Sequence, residues 1–163
     1  MTTATFLFLG FLILQRLGEL IIARRNTARL LADGAHEVGA GHYPVMVAMH
    51  AAWLAAILLL GWNEAVRPFW LILYVILQGF RIWILRTLGN RWTTRIIVTD
   101  APLVSTGPFK FIPHPNYALV VAEIIVAPLV LGLWGVALVF TLLNALMLRH
   151  RIKVEDAAIR PGG

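Results

Sequence analysis

The chain has no cysteine and little charge, and both absences narrow what it can be. Without cysteine there is no disulfide framework, no thiolate nucleophile and no sulfur ligand, so a metal would have only histidine and carboxylate to hold it. Asp, Glu, Lys and Arg make up 13% of the 163 residues, against about 25% in an ordinary soluble domain. Acidic residues are the scarcer sign, 8 against 14 Lys and Arg, for a net charge of +6. Apolar side chains fill the gap: they reach 60%, with a mean hydropathy of +0.79. That excess over the roughly 45–50% of a soluble domain belongs in lipid. The length allows one domain. Met1-Thr-Thr-Ala-Thr carries no basic residue, and no small-residue cleavage site follows the first apolar run. The first span itself is therefore expected to direct insertion.

A membrane-crossing helix needs roughly 20 mainly apolar residues. Five segments approach that: Ala4 to Ile22, Val45 to Trp62, Phe69 to Leu85, Tyr117 to Leu133 and Trp134 to Leu148. The expected fold is an all-α integral membrane protein with about five transmembrane helices. Gly132-Leu-Trp-Gly135 leaves room for only a tight turn, so the last two should form a helical hairpin. The basic residues collect in alternate loops. Arg24, Arg25 and Arg29 follow the first span, Arg86, Arg91, Arg95 and Lys110 lie between the third and fourth, and Arg149, Arg151, Lys153 and Arg160 follow the fifth. Only Arg67 lies between the second and third, while Arg16 and Arg81 fall inside spans. That split predicts a multi-pass cell-membrane protein with its amino terminus outside and the long loop in the cytoplasm. It also argues against nucleic acid as a partner, because no basic patch sits on a soluble surface. Membrane lipids are the expected surroundings.

Asn90 to Ile112 is the one sizeable non-membrane stretch. Arg95-Ile-Ile-Val-Thr99 is β-prone, Asp100-Ala-Pro102 is a turn signal, and Leu103-Val104 is expected to pair back as a short hairpin. Asn26 to Gly41 is polar and reads as an interfacial connector. His114 sits between two prolines, so it lies outside any helix interior, and Pro115 suits the first turn of the fourth span. Asn116 and Tyr117 fall in that same turn. At the end of the fifth span, Asn144, Arg151 and Glu155 are spaced by seven and four and share one helix face, with Arg149 and Asp156 on a second stripe. The hairpin should return that face to the level of His114. Polar groups gathered at one membrane face are costly and mark a site, so an embedded enzyme is expected.

Gly107-Pro-Phe-Lys-Phe-Ile-Pro-His-Pro-Asn-Tyr117, the hairpin after it and Arg151-Ile-Lys-Val-Glu-Asp156 together resemble the isoprenylcysteine carboxyl methyltransferase family. The resemblance covers about Leu88 to Ile159. It implies a membrane methyltransferase that uses S-adenosylmethionine, with the long cytoplasmic loop binding that cofactor. It assigns Pro102, Leu103, Val104, Phe109, His114, Pro115, Asn116, Tyr117 and Glu155 to the cofactor and turns Arg151 toward the substrate. It also divides the one structural domain into a three-span, substrate-facing part over residues 1–87 and a methyltransferase core over residues 88–163. Two positions depart from the family pattern: Pro113 stands where arginine is usual before His-Pro, and Leu119 where glycine is usual. Arg16-Leu-Gly-Glu19, Gly34-Ala-His-Glu37, His42-Tyr-Pro44 and His50 resemble small bacterial members, some of which methylate long-chain alkylpyrones.

These readings combine into an expected activity: methyl transfer to an acidic hydroxyl of a lipophilic small molecule. Arg151 would steady the reacting oxygen. A carboxylate or acidic enol needs no base, whereas a phenol would need one, with Glu123 and His114 as the candidates. Arg81 and Glu19 are assigned to the substrate pocket, although mutual neutralisation of Arg81 by Glu19 or Glu123 explains the same residues. No metal site is expected at His42 and His50. The competing readings are an isoprenylcysteine carboxyl methyltransferase, an NADPH-dependent membrane reductase, which a His-Pro-Asn-Tyr region also suits, and a small transporter or assembly subunit.

Overall fold

The computed structural model describes residues 2–159, so Arg160, counted above among the basic flanks, lies outside the described residues. Five helices dominate it: α1 (Thr3–Ala32), α2 (Tyr43–Gly61), α3 (Pro68–Leu88), α4 (Pro115–Val130) and α5 (Trp134–Ile159). Two three-residue strands, β1 (His36–Val38) and β2 (Ile96–Val98), and three short 3-10 turns, Ala40–His42, Gly89–Arg91 and Gly107–Lys110, complete it. The protein is all-α in character and built for a membrane. Four helices are long and apolar enough to cross, and α4 is the short apolar one. Its 16 residues rise about 24 Å, less than the roughly 30 Å of a bilayer core. In compensation α4 is the most enclosed helix. Ile124, Ala127, Leu129 and Val130 are buried, packed mainly between α3 and α5.

Local chemistry explains where the helices stop. α1 continues to Ala32, well past the expected connector boundary at Asn26, because Thr-Ala-Arg-Leu-Leu-Ala is compatible with helix and only the apolar run ends earlier. Gly34, at φ +93°, then closes it: its N–H donates to Leu31 O at 3.2 Å and that of Ala35 to Leu30 O at 3.0 Å, a Schellman cap. The same motif ends α4, with Gly132 at φ +70° and Leu133 N–H donating to Pro128 O at 3.0 Å. That cap makes the expected tight hairpin turn. A Cβ at Gly132 would also run into the Arg67 guanidinium. Gly132→Ala should therefore lose roughly 1–2 kcal/mol, read as a lower unfolding midpoint in detergent, from the left-handed backbone alone.

One expectation fails. β2 does not pair with Leu103-Val104 but runs antiparallel to β1, with His36 opposite Val98 and Val38 opposite Ile96. Arg95 locks the register by a two-pronged contact with Glu37 at 2.7 and 2.8 Å and lies over the Tyr43 ring at 4.1 Å. The long loop is thereby tied to the α1–α2 connection rather than folded on itself.

The molecule has two distinct ends. At one, Thr5 Oγ1 donates to Glu64 O at 2.6 Å and Arg67 N to Val130 O at 2.8 Å, so the start of α1, the α2–α3 loop and the α4–α5 turn lie together. At the other, Asn26 Nδ2 donates to Trp92 O at 2.8 Å, the Thr27 and Thr93 hydroxyls meet at 2.6 Å, and Tyr43 meets Thr94 at 3.0 Å. The helices alternate direction between these two ends, and the long loop, His114 and the end of α5 gather at the second.

Candidate functional site

His114 caps α4 with φ 54° and ψ 54°, and no other described residue besides glycine has positive φ. The following proline disfavours the right-handed helical region for residue 114, yet His114 takes the left-handed well instead of the extended backbone usual before proline. Such a conformation costs on the order of 1–3 kcal/mol, and strain of this kind clusters at functional sites. The His114 ring stacks on Tyr117, centroids 5.4 Å apart. Its Nε2 lies 3.5 Å from Asp156 Oδ1 and its Nδ1 3.9 Å from Glu155 Oε2. The hairpin thus returns the end of α5 to His114, as its spacing implied. The Tyr117 hydroxyl donates a short hydrogen bond to Glu155 and accepts one from Arg151 Nε at 3.0 Å.

Two cavities meet here. The polar one, about 560 Å³, is walled by the loop and the end of α5. Of the nine residues assigned to a cofactor by resemblance, Leu103, Val104, Phe109, His114, Asn116, Tyr117 and Glu155 line it. Pro115 instead is buried in the α4 turn, and Pro102 turns its carbonyl to Arg91 Nη1 at 2.8 Å. The greasy cavity, about 390 Å³, lies between α1, α2 and α5 and reaches from Arg151 inward to Arg16, Glu19 and Arg81. Both volumes fall in the ~300–1,000 Å³ range of small-molecule sites. Trp92, Asn116, Tyr117 and Arg151 line both cavities and form the wall between them. Trp92 Nε1 donates to Asn116 Oδ1 at 3.3 Å, which holds that wall to the loop.

Arg151 is the unusual member. It is 6% exposed, yet its donors go to Thr94 O at 2.6 Å, Met46 S at 2.6 Å and the Tyr117 oxygen. Among the described residues no carboxylate pairs with it within 4.0 Å. A buried cation left without a counter-ion is costly, and it supplies what an anionic oxygen in the greasy cavity would need.

The inner polar cluster is different. Glu123 is fully buried and accepts from Arg16 Nη2 at 2.8 Å, Gln78 Nε2 at 3.1 Å, Arg81 Nε at 2.9 Å and Arg81 Nη2. A carboxylate offers about four lone-pair positions, and all of them are taken. Glu123 also stays off the cavity lining, so the expectation that it acts in catalysis gives way to a counter-ion role. Arg81 and Glu19, assigned to the substrate, do line the greasy cavity, and they also pair with one another at 3.0 Å. Arg16 pairs with Glu19 at 3.1 Å and leaves its buried Nε without a partner among the described residues. Two cations therefore meet two anions, and the cluster is neutral.

Several cavity residues escaped the sequence reading. Trp92 carried no motif, Met46 lay unremarked in the second apolar segment, and His50 was given a resemblance to small bacterial members and no role beyond an unlikely metal site. The signal for the α2 residues was a helical face, Tyr43, Met46, His50 and Trp53, visible only once the cavity side of the helix is known.

The model of the isoprenylcysteine carboxyl methyltransferase family matches residues 70–161, which takes in α3 from its third residue onward as well as the loop and hairpin. Over 162 residues the chain is 38% identical to a Bacillus subtilis (strain 168) protein named uncharacterized protein YpbQ, covering 94% of this chain and 95% of that one. No solved structure matches. With more than half its length matched, including the loop, the strained histidine and the end of α5, this chain belongs to the isoprenylcysteine carboxyl methyltransferase family.

Proposed function

We propose that the protein is a membrane-embedded O-methyltransferase that takes S-adenosylmethionine in the polar cavity and a long-chain lipophilic acceptor in the greasy one. The observation that carries this is the shared wall: a cavity lined almost wholly by apolar groups and one of mixed polar and apolar lining have Trp92, Asn116, Tyr117 and Arg151 in common. The donor set suits a cofactor that is zwitterionic at one end and aromatic at the other. Glu155, Asp156 and His114 offer charge and hydrogen bonds, while Leu103, Val104 and Phe109 offer an apolar cradle. When bound, S-adenosylmethionine supplies an electrophilic methyl group on a sulfonium. The chain's own residues position the acceptor oxygen, exclude water and hold negative charge on that oxygen beside Arg151; positioning of this kind supplies much of the acceleration in such transfers. The acceptor we favour is the acidic hydroxyl of a long-chain alkylpyrone, because Pro113 removes the cation usual before His-Pro.

The same proposal sets the orientation: amino terminus outside, catalytic end in the cytoplasm, with the tail entering sideways from lipid. Reporter fusions after Arg29 and Lys110 should read cytoplasm and one at Glu64 should not; a cytoplasmic reading at Glu64 would reverse the assignment. For the activity, purified protein should bind labelled S-adenosylmethionine and not NADPH. It should also methylate a long-chain alkylpyrone faster than a farnesylcysteine analogue. Glu155→Ala and His114→Ala should each raise the dissociation constant for S-adenosylmethionine about tenfold or more, the size of a lost charge-assisted hydrogen bond. Binding of NADPH alone would favour the reductase, and binding of neither would favour a transporter or assembly role.

A further inference from the structure

His50 lines the greasy cavity from α2. Its Nδ1 lies 2.9 Å from Met46 O. A carbonyl can only accept, so Nδ1 carries the proton and Nε2 presents a lone pair. No hydrogen bond joins that Nε2 to any described residue. His50 stands one helical turn, about 5.4 Å, inward from Met46, whose sulfur touches Arg151. On the facing helix Asn144, two turns inward from Arg151, also lines the cavity. Asn144 is 3% exposed, and its amide has no partner among the described residues. A lone pair, an idle amide and an uncompensated guanidinium therefore share one apolar chamber.

An acceptor reaching this chamber from lipid arrives as the neutral acid, because its anion is costly in hydrocarbon whatever its acidity in water. Its proton must then be taken up inside. Glu123 has no lone pair to spare, and Glu19 is engaged by Gln15, Arg16 and Arg81. The charged groups acting on His50 are Arg16 from α1, Glu123 from α4 and Arg151 from α5. Glu19, Arg81, Tyr43 and Tyr117 are the other titratable groups lining the chamber.

Resting on the reading of the greasy cavity as the acceptor site, we propose that His50 Nε2 is the proton acceptor for a lipid hydroxyl, with Asn144 and Arg151 holding the resulting oxyanion. The O–H bond breaks toward Nε2. An O–CH3 bond forms to the methyl of the sulfonium donor, and the electron pair of the broken S–CH3 bond stays on sulfur. The products are a methyl ether, a thioether and a protonated His50.

The test uses the full chain in lipid nanodiscs with a long-chain alkyl hydroxypyrone as probe and no methyl donor present. On probe binding, nitrogen NMR of isotope-labelled histidine should move His50 Nε2 from bare to protonated, and the probe should absorb as its oxyanion. His50→Gln should still bind the probe, yet leave it absorbing as the neutral hydroxyl at the same pH. With S-adenosylmethionine added, kcat of His50→Gln should fall about 10²-fold or more, KM should change little, and the rising limb of the pH profile should disappear. A bare Nε2 with probe bound overturns the proposal, even where the variant does not fold. So does a variant that ionises the probe as wild type does while methylation persists, and in that case the methyltransferase reading still stands. Wild-type protein that binds neither probe nor donor overturns both.

Discussion

Glu123→Leu is expected to empty the folded state rather than trim turnover. The carboxylate is the point where α1, α3 and α4 are joined, through Arg16, Arg81 and Gln78. Removing it leaves two guanidinium groups in the membrane interior with only Glu19 between them. Truncating one partner of a buried ion pair costs about 3–5 kcal/mol, because the remaining charge loses its compensation. Against a total stability of roughly 5–15 kcal/mol that is a large fraction. The variant should show a much lower unfolding midpoint in detergent and poor recovery from the membrane. Glu123→Gln should fall between, since an amide keeps one acceptor oxygen and adds donors facing donors. The informative control is Arg81→Met combined with Glu123→Leu. It removes one charge of each sign, leaves the Arg16–Glu19 pair at 3.1 Å intact, and should recover most of the lost stability. A single variant as stable as wild type would show that Glu123 is not the counter-ion its four hydrogen bonds describe.

That cluster also marks how far the sequence could be read. Polar residues at membrane depth were conspicuous, and pairing of Arg81 with Glu19 or Glu123 was one of two readings of them. Arg81 pairs with both. Which carboxylate is saturated and which faces a cavity depends on helix rotation, and lipid-facing and cavity-facing sides are equally apolar in this composition. The end of α5 was the reverse case. Spacings of seven and four place Asn144, Arg151 and Glu155 on one face whatever the surroundings, and the structure distributes that face over the greasy cavity, the shared wall and the polar cavity in turn. The β pairing was illegible for another reason. Strands of three residues carry almost no periodic signal, and β2 finds its partner at His36–Val38 through a tertiary contact of Arg95 with Glu37 that local turn chemistry cannot announce. His50 entered the sequence reading through its resemblance to small bacterial members and as an unpromising metal ligand beside His42; what distinguishes it is a place in a cavity wall with only Nδ1 hydrogen-bonded.

Arg151→Ala should abolish most methyl transfer while sparing the methyl donor's binding. The guanidinium belongs to the wall common to both cavities and is the cation there without an ion-pair partner among the described residues. Negative charge on an acceptor oxygen would be compensated at that point. Loss of one preorganised donor to a developing or resident oxyanion typically costs about 10²–10³ in rate. The polar cavity keeps His114, Glu155 and Asp156 in the variant, so S-adenosylmethionine affinity should change by only a few-fold. Arg151 also fastens α5 to the loop through Thr94 O and to α2 through Met46, and some stability will be lost with it. Arg151→Lys separates the two effects: it keeps the charge and gives up the fork that reaches both Tyr117 and Thr94. If the charge matters for the oxyanion, the lysine variant should retain clearly more turnover than the alanine variant at equal S-adenosylmethionine occupancy. Equal loss in both, with weakened donor binding, would mean that Arg151 shapes the wall between the cavities rather than compensating charge in the acceptor.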